Sequence, residues 1–283
     1  MNYSSDSYAA MLLCLALSPN REEYARPLST SEYRDVCQRA KESSARHIGG
    51  LMNVDISGLM QLLSMSEEEA YRIFILLSRS VQLSYAMEGF LARGIRIITE
   101  FDAEYPRRLT KRAGCDAPPV FYLYGDAQAL NAPAIGILGM SGVKTSPEVR
   151  ASISAIAAFA EKAGYRILAG GELGVSRVME GYVLEGKCPL TCAMAGGLSD
   201  YIERKEAGKL FSEGRLTAIS SEHPDALRHH RCDWIYAWNG DKGNHSLINK
   251  GAIGFGQITR KSLEDMTDLW RQSRSEQLSM FDA

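Results

Sequence analysis

Three glycine-rich runs in this chain have the residue types to hold an anion: Gly139-Met140-Ser141-Gly142, Gly170-Gly171-Glu172-Leu173-Gly174 and Ala195-Gly196-Gly197-Leu198. Glycine lacks the Cβ that keeps other amides away from a phosphate, and a helix opening just after such a run adds a favourable dipole. The backbone amides of Gly139, Ser141, Gly142, Gly170, Gly171, Gly174, Gly196 and Gly197 are therefore a candidate cradle, with Lys144 or the pair Arg107 and Arg108 supplying positive charge. The plainer alternative is that these glycines only make tight strand-to-helix turns. Neither G-x-G-x-x-G nor a P-loop G-K-[ST] occurs, which argues against dinucleotide binding and ATP hydrolysis.

Other chemistry is sparse. His223, His229, His230 and Asp233 lie close in sequence but match no metal-ligand spacing, so no metal site is expected. Six cysteines (14, 37, 115, 188, 192 and 232) are scattered without a C-x-x-C pair and fit buried, reduced thiols. No nucleophile, base and orienting group stand in a recognisable order, so neither catalysis nor a cofactor is expected. Basic residues gather at Arg107, Arg108, Lys111 and Arg112, and again at Arg228–Arg231 around two histidines. With a net charge of −2, attraction to nucleic acid must come from such local patches. The apolar run Ala9–Leu17 is too short to span a membrane and has no basic flank before it, which points to a cytoplasmic protein.

The elements that must position these groups follow from periodicity. The first ninety or so residues are helical in pattern: Tyr8–Leu17 capped by Ser5, Asp6 or Ser7, then Tyr33–Ser44 after Ser29–Glu32, a short Ser57–Leu63, and one long helix opened by a capping box at Ser66–Glu69 and closed at Gly94. From Gly94 the pattern changes to short apolar runs at 95–98, 120–124, 135–138, 167–169, 190–194, 216–220 and 234–238. Helical stretches at Pro147–Ala163 and Val175–Glu185 lie between them. Such alternation predicts an α/β, Rossmann-like fold with a mostly parallel sheet, whose strand ends gather the glycine turns at one edge. A final helix is expected over Ser262–Trp270. Trp234, Tyr236 and Trp238 alternate as one strand face does, more simply for packing than for base stacking.

Several of these runs resemble one known family. Phe101-Asp102-Ala103-Glu104-Tyr105-Pro106-Arg107-Arg108-Leu109, followed by Ala117-Pro118-Pro119-Val120-Phe121-Tyr122 and Gly125, is similar to the entry sequence of the DNA-processing protein DprA (Smf) family. Ser221-Glu222-His223-Pro224 resembles its Ser-Glu-x-Pro. Gly243-Asn244-His245-Ser246-Leu247-Ile248-Asn249-Lys250-Gly251-Ala252 resembles its Gly-x-Asn-x-Leu-Ile-x-x-Gly-Ala. The resemblance divides the chain into a helical domain (1–93), a Rossmann domain (94–270) and a tail (271–283). It implies a non-catalytic protein of natural transformation or recombination that forms homodimers, binds single-stranded DNA and loads a RecA-type recombinase. Departures fall where the family grips DNA: Ser141 replaces an arginine, and Ser176 and Glu180 replace an aspartate and a histidine. Serine cannot reproduce the bidentate fork of arginine.

The tail carries a second resemblance. Gln277-Leu278-Ser279-Met280-Phe281 is similar to the short motif by which bacterial proteins dock on the sliding clamp, with Leu278, Met280 and Phe281 as apolar anchors and Gln277 as a polar one. The leading expectation is thus a single-stranded-DNA-binding accessory protein. Two alternatives stay open: a sensor of a nucleotide-like small molecule, with Glu172 and Glu180 near its ribose, and a scaffold that binds neither ligand.

Overall fold

A computed structural model describes residues 3–18, 24–136, 147–170, 175–226, 236–238 and 253–255. The chain divides into two compact units, Met1–His229 and His230–Ala283.

The first unit begins with helices whose starts are written in their caps. Helix α1 (Ser5–Cys14) is capped by Ser4, whose hydroxyl accepts from the Ser7 amide at 3.0 Å, one residue ahead of the expected caps. α2 (Thr30–Glu42) and α4 (Glu67–Leu77) both open with reciprocal capping boxes, Ser29/Glu32 and Ser66/Glu69, and α3 (Ile56–Leu63) is capped by Asp55. α1 is buried along most of its length, through Ala9 to Leu13, and forms the centre around which the others pack.

The single long helix expected up to Gly94 is two helices, α4 and α5 (Ser80–Ala92). The break falls at Ser78-Arg79 because Arg79 turns its guanidinium inward, where it donates to the carbonyls of Leu12 and, at 3.0 Å, Leu15. α1 accordingly ends at Cys14 rather than Leu17, its last carbonyls satisfied by a buried arginine instead of a further turn. Gly94, at φ +74°, then reverses the chain into the sheet.

Six strands form the main sheet: β1 (Ile95–Thr99), β2 (Val120–Gly125), β3 (Ala134–Gly136), β4 (Arg166–Ala169), β5 (Leu190–Met194) and β6 (Leu216–Ser220), in the order β1-β2-β6-β5-β4-β3. β3 to β6 are mutually parallel, and β2 runs antiparallel to both β6 and β1. Five strands therefore point the same way, as the near-continuous apolar runs predict. Between β1 and β2 lies the short helix α6 (Arg107–Ala113); α7 (Pro147–Ala163), α8 (Val175–Glu185), α9 (Ser199–Ile202) and α10 (Lys205–Ser212) connect the parallel strands. Ile153, Ala157 and Ala160 of α7, Met179 and Val183 of α8, and Leu210 of α10 share one core with the strands and the N-terminal helices. Alternate residues Ile98, Phe121 and Leu123 face a smaller cluster covered by Tyr105, Ala127 and Leu109.

The free edge of β1 is blunted. Tyr3 donates to the outward Ile97 carbonyl at 2.9 Å, and the Thr99 amide donates to the Asp102 carboxylate at 2.7 Å.

In the second unit, Tyr236–Trp238 (β7) pairs in parallel with Ile253–Phe255 (β8) as a two-stranded sheet. The run read as strand 234–238 is thus a strand paired with a partner that its own residues do not reveal. The expected helix at Ser262–Trp270 and the tail lie outside the described residues.

Candidate nucleic-acid interface

The register sets where the candidate residues meet. Ala169 lies opposite Cys192, Met194 opposite Ser220, and Ser220 opposite Tyr122. The ends of β3, β4, β5 and β6 and the start of β2 therefore share one edge. Gly170 and Gly196-Gly197 lie on that edge, immediately after β4 and β5. So does α6, which joins the end of β1 to the start of β2. Gly139, Ser141, Gly142, Lys144, Gly171, Gly174, Gln277, Leu278, Met280 and Phe281 lie outside the described residues.

Two parts of this edge differ. At β5–β6 the Gly196-Gly197 turn is filled by the loop that follows β6. The Gly197 amide donates to the Ala226 carbonyl at 3.1 Å, the Ser220 hydroxyl to the Gly196 carbonyl at 2.7 Å, and the Ser199 amide to the Pro224 carbonyl at 2.9 Å. A Cβ on Gly197 would stand 2.2 Å from the Pro224 oxygen and 2.6 Å from that of His223. The glycine is thus required for close approach of two backbone segments, and its amide already has an acceptor. His223 is buried against Phe90 and Tyr122, with ring centroids 5.3 and 6.3 Å apart, and its Nδ1 accepts from the Asp225 amide at 3.1 Å. Asp225 takes hydrogen bonds of 2.5 Å from both the Ser199 hydroxyl and Arg93, the residue closing α5. Burial works against its charge, yet the Arg93 and Ser199 hydrogen bonds hold its carboxyl below the usual range. The Ser-Glu-His-Pro segment thereby clamps helix, sheet and turn together.

At the β1–β2 end the same kind of local bonding leaves a surface open. The Asp102 carboxylate accepts from the Thr99 amide and hydroxyl, at 2.7 and 2.9 Å, and closes the turn after β1. Tyr105 packs on Phe121 and donates its hydroxyl to the Pro118 carbonyl at 2.7 Å, and burial pushes that hydroxyl up to about 12. Pro106 caps α6, and Leu109 sits against the small cluster beneath. The aspartate, tyrosine and proline of the Asp-x-x-Tyr-Pro run thus fix α6 in place, while Arg107 and Lys111 are exposed. Of the nearby carboxylates, Glu104 is committed to Arg96 at 3.0 Å and Glu100 to Arg34 at 2.5 Å.

Deeper in the fold, Glu180 of α8 is buried, facing the Cys192 thiol of β5 at 3.9 Å and Arg177 at 3.4 Å. The Tyr201 hydroxyl contacts the same sulfur at 3.0 Å, and burial, with Glu180 beside it, pushes the Cys192 thiol up to about 12. Cys188 and Cys192 are buried as expected, but Cys115 is exposed. Arg93, Ser199 and Asp225 went unread in the sequence because they are far apart along it. The one available signal was the Ser-Glu-x-Pro likeness beside Asp225. Among the described residues no cluster of three metal-ligating side chains occurs, and no helix is long and apolar enough to cross a membrane.

A mostly parallel, Rossmann-like sheet with glycine turns and a cationic helix on its carboxyl edge defines a class of α/β proteins that bind ligands at that edge. Within the class, residues 96–232 match the family model described as DNA recombination-mediator protein A. DNA processing protein A from Streptococcus pneumoniae superposes with a TM-score of 0.52 over 90% of this chain and 95% of its own, at 14% identity, a likeness of fold. The Helicobacter pylori protein, whose structure concerns its binding of single-stranded DNA, is 15% identical. It covers 61% of this chain and 95% of its own at a TM-score of 0.36, too slight a similarity to argue from. No curated protein matches the chain in sequence.

Proposed function

We propose that the protein is a non-catalytic, cytoplasmic accessory factor of DNA metabolism that binds single-stranded DNA along the carboxyl edge of its sheet. The observation that carries this reading is the meeting, on one edge, of the parallel strand ends, Gly170 and the exposed cations of α6. The amides of Gly139, Ser141, Gly142, Gly170, Gly171 and Gly174 form the phosphate cradle, with Lys144 and the pair Arg107 and Arg108 supplying charge. Gly196 adds its amide to the cradle, whereas Gly197 shapes the neighbouring turn, since its own amide is engaged by Ala226.

In this reading residues 94–270 act as the DNA-binding domain and form a homodimer, and the helical residues 1–93 help recruit a RecA-type recombinase. The tail, through Gln277, Leu278, Met280 and Phe281, docks on the sliding clamp. Oligo(dT) binding, followed by fluorescence anisotropy, is expected to weaken steeply with salt, because phosphate contacts release counterions. Binding that is absent at low salt, or indifferent to salt, sinks the proposal. Deleting Gln277–Ala283 is expected to abolish capture by purified clamp while leaving oligo(dT) binding intact; retained capture excludes the docking role.

A further inference from the structure

We infer that a cavity between α5 and the outer edge of β1 binds a small organic ammonium ion with an aromatic body, an arylalkylamine in chemical class. β1 and β3 form opposite borders of the sheet, and the inference stands independently of the DNA reading.

The argument begins with shape and lining. The cavity holds about 290 Å³, near the lower end of the range for small-molecule sites, roughly 300 to 1,000 Å³. Most of what lines it is apolar: Ile95, Ile97 and Phe90 are buried, and Met87 and Leu91 come from α5. Tyr3 and Tyr8 line it too, meeting edge to face with ring centroids 5.8 Å apart. Burial, with Asp102 nearby, pushes the Tyr3 hydroxyl up to about 12, so it stays protonated and donates to the Ile97 carbonyl. Such a lining suits an aromatic ring, and tyrosine faces attract a cation.

Charge gives the second part. Two charged residues line the cavity, Arg96 and Glu88. Arg96 is spent, since its guanidinium holds both Glu104 oxygens, at 3.0 and 3.3 Å. Glu88 is exposed and has no ion pair or hydrogen bond among the described residues. It is the one charged residue of the thirteen in α5. The helix itself gives no reason for it. Its neighbours three and four residues away are Ser84, Tyr85, Leu91 and Ala92, none of them a cation, and a carboxylate past the midpoint gains nothing from the helix dipole. A carboxylate left over beside an apolar cavity complements a cation with an apolar body.

The strand edge adds an acceptor. The Glu100 amide bonds across to the Pro119 carbonyl at 2.8 Å, and the register pairs Ile98 with Phe121. Even-numbered residues of β1 therefore bond to β2, and the carbonyls of Ile95 and Ile97 face outward. Tyr3 serves that of Ile97. The carbonyl of Ile95, a buried residue lining the cavity, has no donor among the described residues. A buried carbonyl without a donor costs stability. An ammonium brings three donors for these acceptors, and a carboxylate ligand brings none.

The test uses full-length protein carrying ¹³C at its methionine methyl groups, titrated with phenethylamine, 2-phenylethanol or phenylacetate. The Met87 signal is identified by its loss in Met87→Leu. Phenethylamine is expected to shift it along a saturating curve, with a Kd on the order of 1 mM or tighter, as befits a ligand this small. The neutral and anionic probes should bind at least about tenfold more weakly. Glu88→Gln, an exposed position that spares the core, should weaken phenethylamine about fivefold and leave 2-phenylethanol unchanged. Ser84→Trp, which puts bulk into the lining, should abolish binding of all three probes. Glu68→Gln, an acid of α4 away from the lining, should change nothing. A Met87 signal that ignores phenethylamine at about ten times that concentration, equal affinity for the three probes, or unchanged affinity in Glu88→Gln overturns the inference. Binding of the peptide Phe-Gly-Gly without binding of phenethylamine overturns it as well, because the site would then take a peptide N-terminus rather than a free amine.

Discussion

The two parts of the carboxyl edge are built from the same materials and reach opposite states. At β5–β6, the amides of Gly197 and Ser199 find acceptors within the loop 223–226, and the Asp225 carboxylate of that loop accepts from Ser199 and Arg93. At β1–β2, hydrogen bonding is just as complete beneath the surface, yet it serves to hold α6 with Arg107 and Lys111 outward. A short local motif underlies each: Ser-Glu-His-Pro closes one end, and Asp-x-x-Tyr-Pro supports the other. The difference teaches that a glycine-rich turn at a strand end is not in itself an anion site. What decides is whether another backbone segment has already taken its amides.

The largest effect that can break this comparison comes from Gly197→Ala. Its Cβ meets carbonyl oxygens at 2.2 and 2.6 Å, both backbone, so the loop must move. A loss of about 3 kcal/mol is expected in urea denaturation. Wild-type stability would mean that the turn is not closed as described. Tyr105→Phe comes next. It removes the 2.7 Å bond to the Pro118 carbonyl while keeping the ring against Phe121. A cost of about 1 kcal/mol is expected in the same measurement. A loss several times larger would mean that α6 depends on that one bond for its fold rather than on Leu109 as well.

The smallest effect sharpens the closed end. Asp225 is held below its ordinary carboxyl range in the folded state, so its contribution is present above its unfolded pKa, about 3.9, and is lost as pH falls through the lower folded value. Its side chain is more than a third exposed, and solvent screens the pair with Arg93. Asp225→Asn should therefore flatten the acid limb of stability below about pH 4 slightly and leave its neutral-pH shape alone. An acid limb identical to wild type would remove Asp225 from the clamp.

Much of the fold was legible because local rules carried it. The capping boxes at Ser29/Glu32 and Ser66/Glu69, helices α7 and α8, and strands β5 and β6 fall where sequence pattern places them. The break between α4 and α5 was not legible. Apolar periodicity runs through Ser78-Arg79, and only the carbonyls of Leu12 and Leu15, more than sixty residues away, draw Arg79 inward. The candidate site divides in the same way. Its glycines and basic residues could be listed from the sequence, but the partner of Gly197 and the pairing of Glu104 and Glu100 could not.

For this protein, then, residue order alone determined the periodicities, the caps, the glycine positions and the likeness to a DNA-processing family, because each of these is a property of neighbours along the chain. Tertiary structure decided which glycine turn is closed, which carboxylates are spent on arginines, and that α6 shares an edge with Gly170. Those outcomes depend on strand order and register, which bring together groups tens of residues apart, and no local pattern encodes whether a given amide or charge will find its partner there.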